Sequence, residues 1–460
     1  MSKKYDIDLG KGKIKISFTE KVMTSFGGLS LLSAFFKKIE LANFLNTAFP
    51  IVENSNRTIP LYNRLLSFML TVYTGGERFA HLLYLGNAEA IKKMFSIEKI
   101  PKAATTLTRL FRKIKTVELA NTVSQKLWEF TDKTMGWEKL DADWLNFDSS
   151  VIVRYGKQEG ADKGYNPQKP GRNSHNPLFA FLNKQRLVVN VWNRSGAAKS
   201  ANNIVNFFNE TFARIKNKIA LKGIVADAGF YIEEFIKLLE NLSLRYIIKA
   251  VLYNNLAGKI SMIETEKWIA VDKGIWVSEL YFKPDAWDKE RRYIVVRQQK
   301  DIKENALGKA LPLFENMDMN DYLYSVMVTN ITCLPAVEIW RQQRSRSNDE
   351  NIIKELKEDF GCKGFAVEPF YGTEAALQMC VLSYNLFLIF RKNMLLDSEK
   401  TQRLKTIRQK YFVIPGCLGA DGRTDVLRLN VIDKFKKSFV QCFEKIKNWI
   451  CPNLQPHYYP

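Results

Sequence analysis

The stretch LNFDSSVIVRY (residues 145–155) decides the reading of the chain, because a helical texture gives way there to strands. Upstream, LSLLSAFFKKIELANFL (29–45), IPLYNRLLSFMLTVY (59–73), ERFAHLLYL (77–85) and TVSQKLWEFTDKTM (122–135) repeat apolar residues at three and four positions, the spacing of one helix face. Downstream, LFAFLNK (178–184) and LVVNVWN (187–193) read as a hairpin. KGIVADA (222–228) follows a helix at about 201–218, and LRYIIKA (244–250) follows the helical YIEEFIKLLENL (231–242). Three strands, a helix, a strand, a helix and a fifth strand make an α/β class, a mixed sheet with flanking helices.

Residues 251–330 keep strand character in KWIAVDKGIWVSELYF (267–282) and RRYIVVRQQK (291–300), while the next helix begins near 336. This order predicts a β-rich insertion separate from the core sheet. The expected divisions are a mostly helical, DNA-binding 1–140, the first part of the core at 141–250 and the insertion at 251–330. Core completion at 331–398 and a basic C-terminal region at 399–460 follow. Within the first division, PKAATTLTRLFRKIK (101–115) places a Thr-rich, cap-like start before a short basic helix, which suits a helix-turn-helix on DNA. An ordinary amphipathic helix accounts for it equally well.

The 460 residues carry 69 Lys plus Arg against 48 Asp plus Glu, a net charge of +21 spread along the chain. That excess favours a polyanionic partner, nucleic acid ahead of a membrane surface. The start, MSKKYDIDLGKGKIKISF, lacks a signal-peptide apolar core, and AALQMCVLSYNLFLIF (375–390) reads as too short and too polar to span a bilayer. A soluble cytoplasmic protein with no membrane partner is expected. Six cysteines form no CxxC pair and the three histidines lie far apart, which excludes zinc fingers and His-rich metal sites. A metal here needs oxygen ligands, as magnesium or manganese does.

Two carboxylates stand where desolvation makes a charge costly: Asp148 on a predicted strand and Asp227 where an apolar strand ends in Asp-Ala-Gly. An Asp capping the following turn is the bland alternative for either. A third candidate lies in RSRSNDENIIKELKEDFG (344–361). Taken as one helix over 336–360, at about 100° per residue, Arg346, Glu350 and Lys357 share a stripe. Ile352, Ile353, Leu356 and Phe360 form an apolar face beside it, and Glu355 and Glu358 point away to solvent. Two Asp and one Glu suit a pair of hard cations, which about 4 Å apart support in-line phosphoryl displacement. On a basic chain, such a site suggests cutting or joining DNA.

The loop 154–177 sets Lys157, Lys163, Lys169 and Arg172 among Gly156, Gly160, Gly164 and Gly171. More than about twenty structureless residues beside Asp148 would be unusual without a function, so contact with DNA phosphates is expected.

NFDSSV (146–151), YGKQEGADKGYNPQKPGRNSHNPLFAF (155–181), IVADAGFY (224–231), WDKERRYIVVR (287–297) and RSNDENIIKELKEDFG (346–361) together resemble the DDE transposases of bacterial insertion sequences. The resemblance is closest to the thirteen-eighty family and covers most of residues 100–420. It implies an RNase H-like core interrupted by a β-rich insertion, with Asp148, Asp227 and Glu350 as catalytic, metal-binding triad for two Mg²⁺ ions, Mn²⁺ substituting. Arg346 and Lys357 match the basic positions flanking the Glu, while Gln343 stands where related enzymes carry a DNA-contacting Tyr. The implied activity is hydrolysis at each transposon end and attack of the freed 3′-hydroxyl on target DNA. Double-stranded DNA is the implied partner and a homodimer the synaptic form. Related enzymes stack an insertion-domain aromatic on a flipped base, for which Trp268, Trp276 and Trp287 are candidates; Arg291 and Arg292 then become available to a DNA end. A nuclease without strand transfer and a catalytically silent DNA-binding derivative are the competing readings.

Overall fold

The computed structural model describes residues 5–8, 13–16, 18–53, 55, 57–85, 88–166, 169–300, 321–344 and 347–454. Its N-terminal part is helical as the periodicity requires: α1 (Ser30–Lys38), α2 (Leu61–Tyr73), α3 (Ala104–Phe111) and α4 (Val117–Thr134). Thr116 caps α4, its side-chain oxygen accepting from Leu119 N at 3.3 Å, and Ala120, Val123, Leu127 and Phe130 form the buried face.

Nine strands form one mixed sheet: β1 (Asp143–Ser149), β2 (Leu178–Leu182), β3 (Leu187–Trp192), β4 (Leu221–Ala226), β5 (Tyr246–Ala250), β6 (Ile269–Asp272), β7 (Ile275–Phe282), β8 (Arg291–Gln299) and β9 (Tyr322–Thr329). They lie in the order β6-β7-β8-β9-β5-β4-β1-β2-β3. β4 runs parallel to both β1 and β5, and the remaining pairs are antiparallel. The parallel strands are buried along most of their length because helices cover both faces, and Asp148 and Lys249 stand near the strand ends where that cover stops. On one face Phe147 meets Phe207 and Phe208 of α5 (Ile204–Ile215) and Phe235 of α6 (Glu233–Asn241), at centroid distances of 6.0–6.1 Å. On the other, Trp144, Val225, Ile247 and Met327 pack with Ile339 and Trp340 of α7 (Ala336–Arg344). β4 and β1 approach so closely that a Cβ on Gly223 would meet the Trp144 ring at 2.4 Å.

Four expectations change. Residues 251–330 are β-rich where described, but not a separate sheet: β9 pairs with β5, so β6 to β9 extend the core sheet by four strands. The predicted helix over 336–360 is described as α7 and α8 (Ser347–Glu358), ends at Glu358, and has residues 345 and 346 outside the described residues. The loop after β1 is not structureless; Ile152–Val153, Asp162–Lys163 and Asn173–His175 form a small three-stranded sheet. Finally, AALQMCVLSYNLFLIF belongs to the 25-residue α9 (Phe370–Met394), long and apolar enough to cross a membrane, yet its most apolar window is wholly buried in the protein.

α9 is the central core helix. Tyr73 Oη of α2 donates to Ser383 O (2.8 Å), Asn385 brackets the Val188 backbone from both amide atoms, and Phe35 of α1 meets Phe390 edge-on at 5.5 Å. The N-terminal helices therefore share one apolar core with the sheet. The C-terminal region also folds back. Gly416–Asp421 pairs with Thr424–Leu429 and with Met23–Thr24, and α10 (Asp433–Asn448) packs beside α1 and α9.

Candidate active site

β1 and β4 are parallel neighbours whose last paired residues are Phe147 and Ala226. Asp227 keeps an extended backbone (φ −82°, ψ 171°), so continuing the register by one residue puts it next to Asp148 on the same face, at neighbouring strands spaced about 4.8 Å apart. Both acids are half-buried, at the C-terminal ends of central strands. Ser149 N donates to Asp148 Oδ1 (2.8 Å), and Phe230 N bonds the Asp227 carbonyl (2.9 Å) at the start of a 3₁₀ turn.

The same register extends across the next strand. Ala226 pairs with Ile248, which sets exposed Lys249 beside Asp227, and Lys249 in turn pairs with Met327. Lys249 is the functional candidate missed in the sequence. The signal was a charge near the end of the apolar strand LRYIIKA.

Glu350 projects from the first turn of α8, exposed, into a 430 Å³ cleft that it lines with Lys249, Trp340, Gln343, Arg344 and Gln298. The row is thus Asp148, Asp227, Lys249, with Glu350 facing the Lys249 end. Among the described residues no three His, Cys, Asp or Glu side chains already cluster as a metal-holding group. The oxygen-only donors nevertheless suit a hard divalent cation rather than zinc.

At its far end α8 is tied beneath Asp148: Lys357 Nζ donates to Val151 O at 2.9 Å. Burial lowers the Lys357 pKa and nearby Asp148 opposes that shift. Lys357 is therefore a half-buried clamp at the end of the acid row. Arg346 lies outside the described residues.

The solvent-facing reading of α8 fails for one acid. Glu355 is 0% exposed, bonded to Arg186 (3.1 Å), Arg391 (3.5 Å) and Leu404 N (3.3 Å), because the C-terminal region covers that side of the helix. Glu358 is exposed and pairs with Arg403.

Two of the cations expected to reach DNA are consumed internally. Arg291, 4% exposed, makes paired bonds to Glu240 (2.9 and 3.1 Å) and another to Asp288. Arg292, also buried, bonds Glu279 and the carbonyls of Ile331 and Leu334. These sites need strand-to-strand partners that local sequence does not reveal. Trp287 is half-buried, 4.7 Å from the Tyr231 ring and under Arg291. Trp268 and Trp276 are engaged by Arg297, whose guanidinium stands 4.3 and 5.2 Å from their rings. By contrast Lys157, Lys163, Lys169 and Arg172 are all exposed, joined by exposed Tyr155 and Tyr165. Lys169 Nζ donates to Tyr155 Oη (2.7 Å).

This small sheet is held rigidly from within. Arg154 Nε donates to His175 Nδ1 (3.1 Å) and Arg154 Nη1 to Lys363 O (3.0 Å), while His175 Nε2 meets Glu159 O (2.9 Å). Burial, then the Arg154 charge, pushes the His175 pKa down to about 4, so the ring is neutral and its Nδ1 can accept.

Among curated proteins none matches the chain. A cryo-EM structure of the piggyBac transposase synaptic complex with hairpin DNA is similar at 10% identity and a TM-score of 0.41, covering 95% of this chain and 89% of that one. The family model described as transposase DDE domain group 1 matches residues 8–450, and the chain belongs to that family.

Proposed function

We propose that this transposase-family chain binds the ends of a bacterial insertion sequence and cleaves and joins DNA with two divalent metal ions, working as a homodimer in the cytoplasm. The carrying observation is the register that sets Asp148 beside Asp227 at the ends of adjacent parallel strands. The sheet order β3-β2-β1-β4-β5 supports an RNase H-like core. Asp148, Asp227 and Glu350 would hold Mg²⁺, Mn²⁺ substituting. Such ions, when bound, polarise the attacking and leaving oxygens of an in-line displacement.

The chain's own residues do the rest. The half-buried aspartates are fixed by the sheet, while Glu350 completes the donor set from α8. Lys249 offers its ammonium to a phosphate at the Glu350 end of the row. Lys157, Lys163, Lys169 and Arg172 supply contacts to the DNA backbone next to Asp148, as exposed surface cations do. Arg346 is proposed as a further phosphate contact from its spacing to Glu350.

The test uses duplexes carrying the DNA that flanks the coding region, including any inverted repeats found there. Mg²⁺-dependent 3′-end cleavage and strand transfer are expected, with Asp148→Ala and Asp227→Ala binding DNA but leaving it uncut. Cleavage retained in either variant overturns the assignment, and cleavage without joining identifies a nuclease.

A further inference from the structure

A second basic site lies at the opposite end of β1. The turn between β2 and β3 is bonded to Asp143, whose carboxylate accepts from Lys184 N (2.9 Å) and Gln185 N (3.0 Å), five residues or about 16 Å along the strand from Asp148. There a 280 Å³ cavity is lined by Lys139 after α4, Lys184 and Arg186 from the turn, Arg391 and Lys392 from the end of α9, and Lys400. Three carboxylates pair with these six cations: Asp141 with Lys184, Glu355 with both arginines, and Asp397 with Lys400. With Asp143 at the turn counted as a fourth carboxylate, six minus four leaves an excess of two positive charges, and among the described residues Lys139 and Lys392 have no carboxylate in an ion pair with them.

The C-terminal end of α9 attracts cations by its dipole, which accounts for Arg391 and Lys392 but not for lysines converging from three other elements. Partial desolvation and then Lys400, opposed by Asp141 and helped by Lys139 and Lys184, hold the Lys392 pKa below its ordinary value. Arg186 Nε is buried without a hydrogen-bond acceptor, a spare donor on a cavity-lining residue. The lining also contains apolar groups, Trp449 and Pro452 among them. An anion with a flat apolar end fits such a cavity better than a simple inorganic ion.

We propose that this cavity is a second polyanion site, remote from the acids, that binds the phosphates of a nucleotide, with Trp449 and Pro452 against its base. The nucleotide is either free or part of a DNA strand. The site stands independently of the cleavage reaction, because its residues are distinct from Asp148, Asp227 and Glu350.

The test is calorimetric titration of the full chain in EDTA with ATP, with pyrophosphate and with a short duplex. The Lys139→Gln/Lys392→Gln double variant and Asp148→Ala are titrated in parallel. Both lysines are exposed, so the double variant should keep the parent melting curve. ATP is expected to bind more tightly than pyrophosphate, and the double variant to weaken it about tenfold or more through lost charge-assisted bonds, with Asp148→Ala unchanged. If only the duplex responds to the lysine changes, the site is assigned to a strand phosphate. If none of the three ligands responds to the double variant, the proposal is overturned. A melting curve altered by the double variant shifts the readout to Lys392→Gln alone, with the same two outcomes.

Discussion

Glu350 and Glu355 stand five residues apart on one helix, and replacing each with alanine should separate a site acid from a structural one. Glu355 is completely buried, and removing it leaves Arg391, 3% exposed, and Arg186 without their shared counter-charge and Leu404 N without its acceptor. Breaking a buried pair from one side costs about 3–5 kcal/mol, because the remaining charge is uncompensated. With a urea dependence of about 3 kcal/mol per M, the unfolding midpoint of Glu355→Ala should fall by about 1–1.7 M. Glu355→Gln keeps the volume and the acceptor for Leu404 N, and should fall by less. Exposed Glu350→Ala should stay within about 0.5 kcal/mol of the parent while losing end cleavage. Urea titrations followed by far-UV circular dichroism, paired with the cleavage assay, give both readouts. If Glu355→Ala unfolds at the same urea concentration as Glu350→Ala, the buried-pair reasoning is wrong.

Lys249→Ala should reduce end cleavage about tenfold, the effect of one lost charge-assisted contact, with an unchanged melting curve; full activity would remove Lys249 from the site. The exposed loop cations should set salt dependence: Lys157→Ala plus Arg172→Ala should lower the slope of log K against log salt by about 1.8, and an unchanged slope would show that neither meets a phosphate. Two buried groups give opposite pH effects. The His175 pKa is depressed to about 4, so stability is lost as pH falls from the ordinary 6.5 towards 4, where the unfolded chain takes up the proton first. Burial raises Glu374 from 4.5 to about 7, so its contribution is lost as pH rises through that interval, where the unfolded carboxyl ionises first. Glu374→Gln should therefore stabilise the protein at pH 8 by on the order of 3 kcal/mol and change little at pH 4.5; equal effects at both pH values would contradict it.

The five central strands were legible because their apolar runs have strand length, and three of them end in turn chemistry: SS at the end of β1, NK after β2 and DAG after β4. Alternation in GIWVSELYF and RRYIVVRQ also marked β7 and β8 as strands. Their attachment was not legible. Which edge a strand joins depends on β9, Tyr322–Thr329, whose backbone pairs with β5 on one side and β8 on the other, and no local pattern encodes a partner more than seventy residues away.

Charge was the property that sequence position predicted least. Arg291 and Arg292 sit in the most basic part of DKERRY, yet Glu240 and Glu279 neutralise them from other elements. Glu355 sits in the most charged helix of the chain and is fully buried, because Arg186 from the β2–β3 turn and Arg391 from α9 converge on it. A charge run becomes a solvated face only where nothing later in the chain covers it. The two aspartates escaped this ambiguity because each interrupts an apolar strand, where desolvation already makes an uncompensated carboxylate costly. Lys249 is instead an exposed charge near the end of apolar β5, one strand over from Asp227, and its position rather than desolvation marks it. Position at the three strand ends places Asp148, Asp227 and Lys249 together, two acids and a cation in one row across the sheet.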